Sequence, residues 1–113
     1  FVSNNDLLIR QKCEEMIAYG YVALRQFPKF ERHVLAAEMR HVMWEVLRLI
    51  VVCNKRYHKK TTLQDLDAQL DLLRTQVRIS KQLGYIDFKK YEYWARLNNE
   101  IGCMIGGWIK AFA

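Results

Sequence analysis

Leu63, Leu66, Leu70, Leu73 and Val77 step along the chain by 3, 4, 3 and 4 residues. At 3.6 residues per turn that spacing puts all five on one stripe, a seam fit for packing in a helical bundle. Three further segments carry the same periodicity. Ile9, Cys13, Met16, Ile17, Gly20, Leu24 and Phe27 form one face. Leu35, Met39, Val42, Met43, Val46, Leu49, Ile50 and Cys53 form a second, and Trp94, Leu97, Ile101, Ile105, Trp108 and Phe112 a third. The reading is four helices, over about 5–27, 28–57, 61–83 and 87–112, in a single domain.

The residues between these segments are punctuation. Pro28, the only proline, ends the first helix and is expected to open the second, since its fixed φ and missing N–H do no harm at a first helical position. Thr61, with Gln64 three residues on, predicts a capping box for the third. Gly84 predicts a left-handed C-cap, and Ile86, Asp87 and Tyr91 read as staple, N-cap and staple partner for the fourth. Connections this short make successive helices antiparallel. The expected fold is all-α, an up-down-up-down four-helix bundle.

Half the residues are hydrophobic, so the chain has enough apolar surface for one core. The chain opens on Phe1, which points to a leading segment that is not part of this sequence. Eighteen Lys and Arg against twelve Asp and Glu leave a net charge of +6, which favours an anionic partner. Cys13, Cys53 and Cys103 are scattered, with no CxxC, and read as buried reduced thiols in a cytoplasmic protein. The apolar run "VLRLIVVC" is too short and too charged to span a bilayer.

The fourth helix departs from the one-stripe rule for a monomeric bundle. Gly102, Gly106 and Ile109 flank its core face on one side, with Trp108 on the face itself and Gly107 on the other side. Each helical glycine costs about 1 kcal/mol against alanine. The compensation expected is close approach of another backbone: one side to the bundle, the other to a second subunit through Gly102, Gly106, Trp108 and Ile109.

No catalytic or cofactor constellation appears. His33 and His41 lie too far apart along a helix to share a metal readily, and no pair of ExxH motifs supports a di-iron bundle. Asp67 and Asp71 precede Arg74 and Arg78 on one face, as the helix dipole favours. No phosphate loop with its Lys-Ser/Thr is present. The expectation is a protein that is not an enzyme and binds no cofactor or metal.

Basic surface is the remaining signal. "NKRYHKK" gathers Lys55, Arg56, His58, Lys59 and Lys60 at the turn between helices two and three, with Tyr57 free to stack on a base. Arg74, Arg78 and Lys81 form a stripe on helix three, whose end approaches Arg25, Lys29, Arg32, Lys89 and Lys90. Multiplied in an oligomer, such patches attract phosphate cumulatively. No base-reading motif accompanies them, so the expected target is nucleic-acid backbone or folded RNA shape.

"FPKFERHVLAAEMR", "LDAQLDLLRTQVRISKQLGYID" and "EIGCMIGGWIKAF" resemble the bacterial four-helix-bundle family that includes proteins encoded in intervening sequences of 23S rRNA genes. The closing EIG-x-M-x-GGWIK and the L-R-x-x-x-R of helix three are most similar to the accessory variability determinants of diversity-generating retroelements, over about residues 7–112. The resemblance implies a barrel-like homopentamer, bacterial or phage-encoded and basic on its surface. It also implies partnership with the retroelement reverse transcriptase, template RNA and cDNA in mutagenic reverse transcription. The L-R-x-x-x-R arginines fall on Arg74 and Arg78. Cys103 stands where many relatives carry a basic residue, so a contact made there is absent or moved to Arg96 or Lys110. The competing reading is an orphan bundle of the rRNA intervening-sequence kind with no polymerase partner. A membrane-surface bundle is disfavoured, because no helix has the lopsided basic face it needs.

Overall fold

A computed structural model describes residues 4–112 of the chain. Four helices account for nearly all of it: α1 (Asn4–Leu24), α2 (Leu35–Lys55), α3 (Lys60–Gln82) and α4 (Phe88–Phe112). No strand occurs among the described residues. Each helix packs against its two neighbours in a closed ring, α1 on α2, α2 on α3, α3 on α4 and α4 on α1. Side-chain pairs give the directions. Lys12 meets Glu100 and Tyr19 meets Tyr93 across α1 and α4. Ser80 meets Met39, and Arg56 meets Thr62, across α2 and α3. Both pairs of helices are therefore antiparallel.

The periodic residues fill the centre. Met16, Met39, Met43, Ile50, Leu66, Leu70, Leu73, Trp94, Ile101 and Ile105 are completely buried. Gly20 is where α1 comes closest. A Cβ there would lie 2.3 Å from Met43 Sδ and 3.1 Å from Trp94 Cζ2, so the missing side chain is space the core already uses. Trp108 and Phe112, read as the end of the α4 core face, are only half-buried and exposed respectively.

Two helix starts differ from the sequence reading. Pro28 does not open α2. With φ −57 and ψ 149 it precedes a 3-10 turn, Lys29–Glu31, and α2 begins only at Leu35. Tertiary contacts hold this turn in place of a helical continuation. Tyr85 donates its hydroxyl to Glu31 at 2.8 Å, and the rings of Phe27 and Phe30 pack against it.

Thr61 is likewise not the N-cap of α3. The first helical bond runs from Leu63 N–H to Lys59 O, 2.8 Å, two residues earlier than a Thr61 cap allows. Lys59 takes the cap position with no side-chain bond to α3. Its ammonium instead donates back to the Cys53 and Arg56 carbonyls, so one lysine ends α2 and begins α3.

The α3–α4 connection follows its sequence closely. Gly84 has φ +76, Gly84 N–H bonds Lys81 O, and Tyr85 N–H bonds Ser80 O, the paired bonds of a Schellman cap. Three residues later Asp87 Oδ1 accepts the Lys90 N–H at 2.8 Å, which holds its carboxyl below the usual range. Ile86 is buried beneath it.

Candidate nucleic-acid interface

Arg74, Arg78 and Lys81 lie along the side of α3 that meets α4, and each is held differently. Arg74 Nη2 donates to Asn99 Oδ1 at 2.6 Å, which draws the guanidinium across onto α4. There it covers Gly102: a Cβ on that glycine would sit 3.1 Å from Arg74 Nη2. Gly102, expected at a subunit interface, thus has its neighbour within the chain. Its missing side chain is the seat of an arginine. Arg78 is exposed and donates to Thr75 Oγ1 at 3.1 Å. Lys81 Nζ stands 5.0 Å from the centre of the Tyr91 ring and 5.3 Å from that of Phe88, a cation held by two aromatic faces.

Between α3 and α4 these residues border a cleft of about 180 Å³, lined by Arg74, Arg78, Tyr91, Ala95, Asn98 and Asn99. Asn98, among the lining residues, is fully buried and makes no hydrogen bond within the protein through either amide atom. Among the described residues neither guanidinium forms an ion pair with a carboxylate. A partly enclosed cleft bordered by two guanidiniums that are not ion-paired is suited to an oxyanion.

The α2–α3 cluster is a separate surface. Lys60 and Arg74 are fourteen residues apart on one helix, roughly 21 Å at 1.5 Å per residue. Lys55, Arg56 and Lys60 are exposed, as is Tyr57 at 90%. Lys59 is committed to the α2 carbonyls and lies 5.7 Å from the Phe112 ring centre. Arg56 donates to Thr62 Oγ1 at 3.3 Å. Of this cluster Lys55 and Lys60 are the more available cations.

A third basic region lies at the opposite end. Arg25, Lys29, Arg32, His33 and Arg40 line an open pocket of about 660 Å³ beside the 3-10 turn. Sequence reasoning named the first three and missed Arg40, whose guanidinium reaches back to the Arg32 carbonyl at 3.0 Å. It also missed Asn98 and Asn99. The signal available was a polar pair on the flank of a helix otherwise apolar there.

Cys103 is exposed, a correction to the reading of all three cysteines as buried. Cys13 and Cys53 are buried, and burial pushes the Cys13 thiol up to about 12. Arg96, one candidate to replace a basic group at position 103, lies over the Tyr93 ring at 4.9 Å. Among the described residues no three His, Cys, Asp or Glu side chains are grouped to hold a metal. The single Glu-x-x-His spacing, Glu38 to His41, faces solvent. No described helix is long and apolar enough to cross a membrane.

The family model described as bAvd-like matches residues 7–112. The chain belongs to the bAvd-like family. The match spans α1 through α4, so the cleft between α3 and α4 lies inside the family's own fold. No curated protein matches the chain.

Proposed function

We propose that this bAvd-like bundle is a non-enzymatic accessory subunit of a diversity-generating retroelement. It binds the element's reverse transcriptase, template RNA and cDNA, and supports mutagenic reverse transcription by holding enzyme and template together. The observation that carries the reading is the α3–α4 cleft. Arg74 and Arg78, the arginines of the L-R-x-x-x-R motif, both line it, Arg74 lying over Gly102 of the EIG-x-M-x-GGWIK motif, and neither is ion-paired with a carboxylate. Two of the three stretches that carry the family resemblance thus come together at one basic site. Lys81 extends that surface toward the bundle end, and Lys55, Arg56 and Lys60 add a second phosphate-attracting patch.

In this reading the scaffold acts as a homo-oligomer, the pentamer that the sequence resemblance implies. The far end of α4 supports assembly. Where a Cβ would stand on Gly106 or Gly107, no neighbouring atom of the chain lies within 4 Å. Beside Gly107 runs a groove of about 320 Å³ lined by Ile9, Met104, Trp108 and Ala111. Trp108 and Ile109 are half-buried, and Leu7 and Leu8 are exposed just before Ile9 on α1. Small residues bordered by unfilled apolar surface offer another backbone a close approach.

The test is reconstituted cDNA synthesis with the reverse transcriptase encoded beside this chain. Arg74→Ala/Arg78→Ala is expected to keep fold and oligomer, by circular dichroism and light scattering, and to lose most cDNA. Full synthesis by that variant refutes the site. An rRNA operon in place of a neighbouring reverse transcriptase and template repeat favours the orphan-bundle reading.

A further inference from the structure

Arg25, Lys29, Arg32 and Arg40 border the pocket of about 660 Å³ beside the 3-10 turn, with His33 next to them and no carboxylate among the described residues that line it. Among the described residues none of these four cations forms an ion pair. Glu31, the carboxylate of the turn itself, is engaged elsewhere, its Oε2 accepting the Tyr85 hydroxyl at 2.8 Å. The same bond, with the Phe27 and Phe30 rings against Tyr85, fixes the turn that carries Lys29 and leads into Arg32. Arg40 is half-buried and anchored by its bond to the Arg32 carbonyl at 3.0 Å. Positive charge is thus gathered in one concavity on a fixed frame, an arrangement that repels itself until an anion fills it. The start of α2 adds to that field: Val34, its N-cap, supplies no side-chain bond, and Ala36 in its first turn lines the same pocket.

The charge is more concentrated than a nucleic-acid strand requires. A strand brings one phosphate charge with each nucleotide, whereas a triphosphate brings several on one compact group. Three guanidiniums offer its oxygens forked donors. The rest of the pocket suits the rest of a nucleotide. Leu24, Phe27, Pro28 and Ala36 make its wall apolar, and Tyr21 stands with them, its hydroxyl accepting the Trp44 indole N–H at 2.9 Å. The volume falls within the range of small-molecule sites, about 300–1,000 Å³. We propose that this pocket binds the triphosphate of a nucleotide, either free or at the 5′ end of an RNA. Arg25, Lys29, Arg32 and Arg40 take the phosphate oxygens and the nucleoside lies against the apolar wall. The pocket shares no lining residue with the α3–α4 cleft, so the two sites stand or fall separately.

One hydrogen bond to a charged group corresponds to about tenfold in affinity. Isothermal titration calorimetry compares adenosine triphosphate with adenosine monophosphate on the wild type, on Arg25→Ala/Arg32→Ala and on Arg74→Ala/Arg78→Ala. The Arg25 and Arg32 side chains make no hydrogen bond or ion pair among the described residues, so the first variant removes charge without removing support. The wild type is expected to bind the triphosphate about tenfold tighter than the monophosphate or better. Arg25→Ala/Arg32→Ala loses that advantage, and Arg74→Ala/Arg78→Ala keeps it. Fluorescence anisotropy with a short RNA bearing a 5′-triphosphate or a 5′-hydroxyl separates the two sources. A preference for the triphosphate end that Arg25→Ala/Arg32→Ala abolishes assigns the pocket to RNA ends, and equal binding of the two RNAs assigns it to free nucleotide. Adenosine triphosphate and monophosphate bound alike or not at all, with no preference between the RNA ends, overturns the pocket. So does a triphosphate affinity unchanged in Arg25→Ala/Arg32→Ala. Either result leaves the α3–α4 site untouched.

Discussion

Gly20→Ala sets two opposing effects against each other, and the structure decides between them. An alanine at a helical position is favoured over glycine by about 1 kcal/mol. Against that, the added Cβ would stand 2.3 Å from Met43 Sδ, 2.9 Å from Met43 Cε and 3.1 Å from Trp94 Cζ2. A methionine is usually able to yield, but Met43 and Trp94 are both fully buried and have no solvent to move into. Overpacking a filled core costs about 1–3 kcal/mol, so the expected net effect is a loss of about 1 kcal/mol. For a domain of this size that lowers the melting temperature by roughly 4 °C. The assay is urea denaturation at constant slope, run as a double-mutant cycle with Met43→Ala. Met43→Ala alone costs about 2–5 kcal/mol. In its background the Sδ and Cε obstruction is gone, and Gly20→Ala becomes neutral or stabilising. A Gly20→Ala that stabilises the wild type, or that costs the same with and without Met43, refutes the close-approach argument.

Gly84→Ala meets no steric obstacle, so its cost is purely that of a left-handed backbone, about 1 kcal/mol, read by thermal melting. Thiol labelling followed by mass spectrometry is expected to show one adduct on the native protein, at Cys103, and three in denaturant. Because folding raises the Cys13 thiol from 9.0 to about 12, the unfolded chain loses that proton first as pH climbs. Stability from this group is intact below pH 9 and falls between pH 9 and 12, a slope that Cys13→Ala removes. Asp87 works in the other direction. Its depressed carboxyl contributes above its ordinary range and the contribution is lost as acid protonates it, so Asp87→Asn flattens the low-pH limb of a stability profile while retaining a cap acceptor.

The bundle was legible because its signals are local. The Leu63–Val77 seam, the Gly84 cap and the Asp87 cap each need only a few consecutive residues, and all are found in the structure. The Pro28 and Thr61 misreadings share a cause. Each start is set by a residue from elsewhere, Tyr85 pinning Glu31 and Lys59 turned back onto α2, which no local pattern records. Gly102 shows the same limit at the candidate site. A stripe of small residues on α4 and a stripe of arginines on α3 were both visible in the sequence. That one serves the other required the register of the two helices, which places Arg74 beside Asn99 and over Gly102. Asn98 was invisible for the opposite reason: its character comes from what it fails to bond.

The central claim is that the arginines of the α3–α4 cleft hold nucleic-acid phosphate. The most direct measurement is the salt dependence of single-stranded RNA binding by the wild type and by Arg74→Ala/Arg78→Ala, with fold and oligomer size checked beforehand. Each phosphate contact on a single strand contributes about 0.7 to the slope of log affinity against log salt concentration. Loss of both contacts should lower that slope by about 1.4 and weaken binding at low salt. An unchanged slope and affinity would contradict the account.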